Sequence, residues 1–83
     1  MSELARTPEQ IGNAIRRVRK ILGLSQAQLG HKAGLRQERI SLIETGNPAA
    51  RLDTLLAVLA ALELEFQIVP RSKGSAAAIE EIF

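Results

Sequence analysis

The segment from residue 25 to residue 46, SQAQLGHKAGLRQERISLIETG, constrains the fold of this chain more than any other part of its sequence. Ser25 and Gln28 have the spacing of a capping box, which predicts that a helix begins directly after Ser25. Gly34 stands where a left-handed helix cap is needed, because glycine adopts that conformation without steric cost. The segment therefore predicts two short helices joined by a tight glycine turn.

The second of these helices is predicted to begin near Arg36 and to have two distinct faces. Its apolar residues are expected to point inward, namely Leu35, Ile40 and Ile43. Its polar and basic residues are left outside, namely Arg36, Gln37, Arg39 and Ser41. This is how a helix-turn-helix presents a recognition helix to the DNA major groove, so the pattern predicts duplex-DNA binding.

Two further helices flank this segment. Thr7-Pro8-Glu9-Gln10 predicts a helix start with a threonine cap, proline at the first helical position and glutamine closing a capping box. Its apolar face is predicted from helical spacing and comprises Ile11, Ile15, Val18 and Leu22. A leucine-rich fourth helix over Leu52–Leu62 is expected to be buried on more than one side. Four short helices around one core predict an all-α domain.

The hydrophobic pattern changes after Glu63. Leu64, Phe66 and Ile68 alternate with polar residues, which predicts a strand. A lone strand has no hydrogen-bonding partner, so we expect it to pair with the same strand of a second copy across a twofold axis. The alternative is an extra turn of the fourth helix followed by coil.

These elements divide the chain into four parts. Residues 1–7 form an N-terminal arm, 8–63 the DNA-binding domain, 64–70 the dimerisation strand and 71–83 a flexible tail. Within the tail, residues 76–83 are expected to be either a marginal helix or disordered, because so short a helix is unstable alone.

Composition excludes several classes of function. The chain has no cysteine and one histidine, so neither disulfides nor a metal site is expected, and no cofactor is predicted. No paired acids, nucleophile–base set or phosphate loop is present, and we therefore expect no enzyme activity. The absence of a signal peptide or a long apolar run predicts a cytoplasmic protein without membrane contact.

Charge and aromatic content favour duplex DNA over single strands. Positions 16–39 carry seven basic residues and one acid, Glu38, although the net charge is only +2. Two phenylalanines and no tyrosine or tryptophan leave no aromatic platform for stacking single-stranded bases.

Helix position assigns the contacts with DNA. Arg36 suits guanine, Gln37 suits adenine and Glu38 can accept a hydrogen bond from cytosine, so these three are the predicted base contacts. An alternative for Glu38 is a pairing with Arg39 or another neighbour. The predicted phosphate contacts are Ser25, Gln26, Lys32, Arg39 and Ser41.

Arg19 and Glu44 are predicted to form a structural ion pair. Glu44 ends the recognition helix on its inward side, and Arg19 lies on the first helix. Each would satisfy the charge of the other inside the domain.

The residues that carry this pattern also identify a family resemblance. Residues 11–62 resemble the phage-repressor-like helix-turn-helix family (Cro, lambda repressor, XRE) through Gln28-Leu29, the spacing to Gly34, Ile40-Ser41 and Glu44-Thr45-Gly46. Gly30 departs from the family pattern, which usually has alanine there, and is expected to loosen its helix slightly. The resemblance implies a lambda-repressor-like domain of four or five helices that binds a palindromic operator as a dimer.

The C-terminal part of the chain resembles a narrower group. The sequence LDTLLAVLAALELEFQIVPRSK is similar to the end of HipB-type antitoxins, in which a helix leads into a strand that pairs across the dimer. The resemblance implies a homodimer that represses its own operon and binds a HipA-type serine/threonine kinase toxin, with Ile82 and Phe83 as possible toxin contacts. The alternatives are a stand-alone phage-type or restriction-modification regulator, and a protein whose helix-turn-helix only packs against a partner.

Overall fold

The computed structural model describes residues 4–71, and this part of the chain contains four α-helices. They are α1 (Pro8–Ile21), α2 (Gln26–Ala33), α3 (Gln37–Glu44) and α4 (Leu52–Ala61). α2 packs against both α3 and α4, and α1 packs against α3. The predicted all-α helix-turn-helix fold is confirmed.

A local hydrogen bond explains where α1 begins. The Thr7 side chain accepts from the Gln10 backbone N–H at 3.1 Å, and Pro8 opens α1 as predicted. The prediction that Gln10 closes the capping box on Thr7 is wrong, since its side-chain oxygen accepts from the Arg6 backbone N–H instead. α4 starts after Arg51 without any side-chain cap.

One apolar cluster holds the four helices together. Its buried members come from all of them and are Ile15, Val18, Leu29, Ile40, Ile43, Val58, Leu59 and Leu62. After α4 the chain turns through Glu63, which has a φ of 60°, and the Leu64 N–H donates to the Leu59 carbonyl at 2.8 Å. This turn places Leu64 against the core.

Three leucines predicted to lie inside are exposed. Leu22 is the C-cap residue that follows α1, and it is 50% exposed. Leu52 is 64% exposed and Leu56 47% exposed, so the predicted burial of α4 on more than one side is wrong for the single chain. One side of α4 faces the core and the other is open.

Residues 4–71 of the single chain form no strand. The predicted strand at 64–70 has irregular backbone here, with Phe66 42% and Ile68 103% exposed. A strand that pairs across a twofold axis needs the second copy for its hydrogen bonds, so its pairing stays a prediction. Ile82 and Phe83 lie outside the described residues.

Candidate nucleic-acid interface

The turn between α2 and α3 sets the angle between the two helices. Gly34 caps α2 in the left-handed region, at φ 73° and ψ 31°, as predicted. The Leu35 N–H then donates to the Gly30 carbonyl at 2.7 Å. A Cβ at Gly30 would lie 2.6 Å from the Leu35 oxygen, so glycine lets the turn fold closely onto α2. The expectation that Gly30 only loosens the helix was therefore incomplete.

The start of α2 is fixed by the predicted capping box. The Gln28 N–H donates to Ser25 Oγ at 3.0 Å, and the Ser25 N–H donates to Gln28 Oε1 at 2.8 Å. Both residues are exposed. The first turn of α2 therefore presents backbone N–H groups at a rigid, open helix end, where the helix dipole favours an anion.

A buried polar cluster locks α1, α2 and α3 together. Arg19 donates from Nε to Glu44 Oε2 at 2.6 Å and from Nη2 to Glu44 Oε1 at 3.0 Å. Its Nη1 donates to the Leu24 carbonyl at 2.8 Å. The predicted ion pair is confirmed. The hydrogen bond to Glu44 holds the pKa of the Arg19 guanidinium above its usual value, against the opposing effect of burial.

Gln26 belongs to the same cluster, which the sequence reasoning missed. Its Nε2 donates to Glu44 Oε1 at 3.2 Å, and the residue is half-buried. A glutamine and a glutamate 18 positions apart carry no local signal, so only the packing of α2 on α3 brings them together. Gln26 therefore connects the predicted phosphate-binding end of α2 to the end of α3.

The predicted base-contact residues lie at the exposed start of α3. Arg36 occupies the cap position and its side chain makes no capping hydrogen bond. Arg36, Gln37, Glu38 and Arg39 are all exposed, while Ser41 is half-buried. The structure thus presents three predicted base contacts and two predicted phosphate contacts on one short helix.

Lys32 is not brought together with them. It lines a shallow groove of about 240 Å³ with Leu22, Leu24, Ala61 and Glu63, near the ends of α1 and α4. The side of α2 at Gly30 contacts the turn into α3. Lys32 lies about 160° from that side around the helix axis. Lys32 therefore faces away from the start of α3.

The open side of α1 adds further positive charge. Asn13, Arg16, Arg17 and Lys20 line a shallow concavity of about 240 Å³ whose lining includes no acidic residue. These residues belong to the basic segment noted in the sequence. A surface of this composition favours anions.

The described residues contain no membrane-spanning helix and no group of metal ligands. None of the helices in this part of the chain has the length and apolar character needed to cross a membrane. Residues 4–71 also contain no group of three or more His, Cys, Asp or Glu side chains placed to hold a metal ion.

Known proteins are similar in sequence to this chain across the helix-turn-helix. The helix-turn-helix family profile covers residues 15–69. Antitoxin HipB of Escherichia coli O6:H1 is 32% identical over 75 residues, which span 90% of this chain and 80% of the antitoxin. Both matches cover the α2–turn–α3 unit described above.

Solved structures show the same similarity. A HipB chain in a HipA-HipB-O2-O3 complex is 30% identical, with a TM-score of 0.79 over 86% of this chain and 100% of that chain. The restriction-modification controller protein C.AhdI from Aeromonas hydrophila is 29% identical, with a TM-score of 0.66 over 70% of this chain and 88% of that chain.

Proposed function

This chain belongs to the helix-turn-helix family of transcriptional regulators, and we propose that it is an autorepressing antitoxin. In this proposal it binds a palindromic operator as a homodimer. It also binds a HipA-type serine/threonine kinase toxin. The observation that carries the DNA-binding part is the exposed polar start of α3, held in place by the buried Arg19–Glu44–Gln26 cluster. A reading surface held rigid before binding loses little entropy on the DNA.

The proposed division of contacts follows the geometry of the helices. Arg36, Gln37 and Glu38 read base edges, because the first turn of a recognition helix enters the major groove. The flanking polar groups fix the register on the phosphates, and these are Ser25, Gln26, Arg39 and Ser41. Lys32 faces another side of the domain, so a phosphate contact from it requires DNA that extends beyond the recognition helix.

Exposed apolar side chains support a homodimer. Ile68 and Val69 are 103% and 68% exposed, and Leu52 and Leu56 leave the outer side of α4 open. Apolar surface on this scale marks a contact surface, and pairing of residues 64–70 with a second copy supplies both hydrogen bonds and burial. The two recognition helices of such a dimer lie about 34 Å apart, one turn of DNA.

Similarity to HipB supports the toxin partner. The related HipB chain was solved in a HipA-HipB-O2-O3 complex, and the chain's similarity to it covers the whole of that HipB chain. In this proposal Ile82 and Phe83 are toxin contacts, since two adjacent apolar side chains are suited to a groove on a partner.

A second candidate function is a stand-alone regulator without a toxin. The similarity to the controller protein C.AhdI favours it, because that protein shares the fold and most of its length with this chain. A kinase gene directly beside the gene for this chain favours the antitoxin, and the absence of such a gene favours the stand-alone regulator.

Operator binding is tested by footprinting on the DNA upstream of the gene. Arg36→Ala is expected to weaken binding about 5- to 150-fold, the range for a lost bidentate base contact, and to reduce the preference over scrambled DNA. Arg71→Ala is the matched control, because it removes an exposed arginine outside the helix-turn-helix. Binding that is absent, or indifferent to salt and to sequence, contradicts the proposed function.

Toxin binding is tested separately by a pull-down from the native cell. The full chain is expected to recover a kinase. The double variant Ile82→Ser, Phe83→Ser is expected to recover none, whereas the control variant Ile79→Ser is expected to recover it. Recovery of promoter DNA without any kinase supports the stand-alone regulator instead.

A further inference from the structure

The outer side of α1 carries a cluster of cations that lies outside the α2–turn–α3 unit. Asn13, Arg16, Arg17 and Lys20 line one shallow concavity there, and no acidic residue of the described chain lines it with them. All four are exposed. The one acid of α1 is Glu9, in the first turn of the helix. We call the surface formed by the four lining residues the α1 basic face.

Interactions within α1 do not account for these charges. Arg16 and Lys20 are four residues apart, so they lie on one side of the helix and repel each other. The positions three and four residues from Arg16 hold no acid, being Gly12, Asn13, Arg19 and Lys20. A cation in the last turn complements the helix dipole, which explains Lys20 but not Arg16 in the middle of the helix. The α1 basic face is therefore suited to an anion from outside the chain.

One end of the α1 basic face lies beside the start of α2. Arg19, next to Lys20 in the sequence, donates to the Leu24 carbonyl at 2.8 Å. Arg19 also donates to Glu44 at 2.6 Å, and Glu44 accepts from Gln26 at 3.2 Å. Lys20 projects about 100° from Arg19 around the axis of α1. The α1 basic face thus begins next to the end of α2 at which phosphate contacts are proposed.

The same face borders the contact between α1 and α3. Gly12 packs closely against the backbone carbonyls of Ile43 and Glu44 at the end of α3. Arg16 follows Gly12 by four residues and therefore projects only about 40° away from it. The α1 basic face thus lies on the side of the domain where the start of α2 and the end of α3 meet α1.

A polymer with closely spaced negative charges suits this position. Each strand of duplex DNA carries a phosphate about every 3.4 Å, and Arg16 and Lys20 are about 6 Å apart along α1. We propose that the α1 basic face binds phosphates of the DNA that flanks each half-site, outside the base pairs at α3; this rests on the proposed operator binding. Phosphate contacts carry no base specificity, so they add affinity and salt dependence alone.

The test compares the salt dependence of binding to two operator duplexes. One duplex ends at the outer edge of each half-site, and the other continues about 10 base pairs, one helical turn, beyond it. Each phosphate contact changes the slope of log K against log salt by about 0.9. A dimer holds two copies each of Arg16 and Lys20. The wild-type slope is therefore expected to be steeper on the long duplex by about 3.6.

The double variant Arg16→Gln, Lys20→Gln is expected to lose this difference between the duplexes. Because it removes a like-charge pair from α1, its melting temperature is expected not to fall below that of the wild type, which separates lost contacts from lost structure. Arg71→Gln is the matched control, since it removes an exposed arginine outside α1. It is expected to keep the wild-type difference in slope.

The inference is overturned if the wild-type slopes on the two duplexes agree, or if the double variant keeps their difference. A double variant that loses the kinase in the pull-down while its slopes stay those of the wild type assigns the α1 basic face to an acidic protein surface, and this also overturns the inference. Failure of the wild-type chain to prefer its operator over scrambled DNA instead overturns the proposed function, so the two failures are distinguishable.

Discussion

Glu44→Gln tests whether the buried ion pair holds the domain together. The Arg19 and Glu44 side chains are 9% and 3% exposed, and Glu44 accepts two hydrogen bonds from Arg19 and one from Gln26. A glutamine keeps the shape but turns an N–H₂ group toward N–H donors, and it leaves the guanidinium charge uncompensated. Removing one partner of a buried pair costs about 3–5 kcal/mol, a large part of the 5–15 kcal/mol that stabilises a typical domain.

The assay is thermal unfolding of the full chain, followed by circular dichroism at pH 7. For a chain of this size about 4–8 °C of melting temperature is lost per kcal/mol, so Glu44→Gln is expected to melt at least about 12 °C below the wild type. Glu38→Gln makes the same chemical change at an exposed site on α3 and is expected to change the unfolding free energy by less than about 0.5 kcal/mol.

A double variant separates loss of charge balance from loss of contact. Arg19→Met with Glu44→Leu removes both charges together, and is expected to recover most of the stability lost in Glu44→Gln. The reasoning is refuted if Glu44→Gln melts within about 2 °C of the wild type, less than the shift for 1 kcal/mol.

Three further substitutions test the turn, the charges and the dimer. Gly30→Ala is expected to lower the unfolding free energy by about 1–2 kcal/mol, because the clash of its Cβ with the turn oxygen outweighs the gain in helix propensity; an unchanged urea midpoint contradicts this. Arg51 lowers the pKa of the Asp53 carboxyl, so this group stabilises the fold above its unfolded pKa of about 3.9, and its contribution is lost as the pH falls through the lower folded value. Asp53→Asn is thus expected to melt below the wild type at pH 7 and together with it in strong acid; a difference independent of pH argues against the pairing. Ile68→Lys is expected to give a monomer by light scattering while Gln67→Lys stays dimeric, and equal masses for the two variants contradict pairing through that face of residues 64–70.

Much of the helical framework was predictable because its signals are local. Thr7 and Ser25 accept hydrogen bonds from N–H groups three residues away, and Gly34 needs only its own backbone freedom. Contacts of this kind form within one turn of chain and leave a pattern in consecutive residues. The exposed start of α3 was predictable for the same reason, since Ile40 and Ile43 fix which side of the helix faces the core.

What the sequence determined by itself was therefore the existence and order of the helices and the polar character of α3. The tertiary structure decided which surfaces stayed open, because burial depends on what the remaining elements cover. It left Leu22 and Leu56 exposed despite their helical spacing, directed Lys32 away from α3, and brought Gln26 to Glu44 across 18 positions. Helical periodicity defines a face of each helix, but only packing in three dimensions determines the partner of that face.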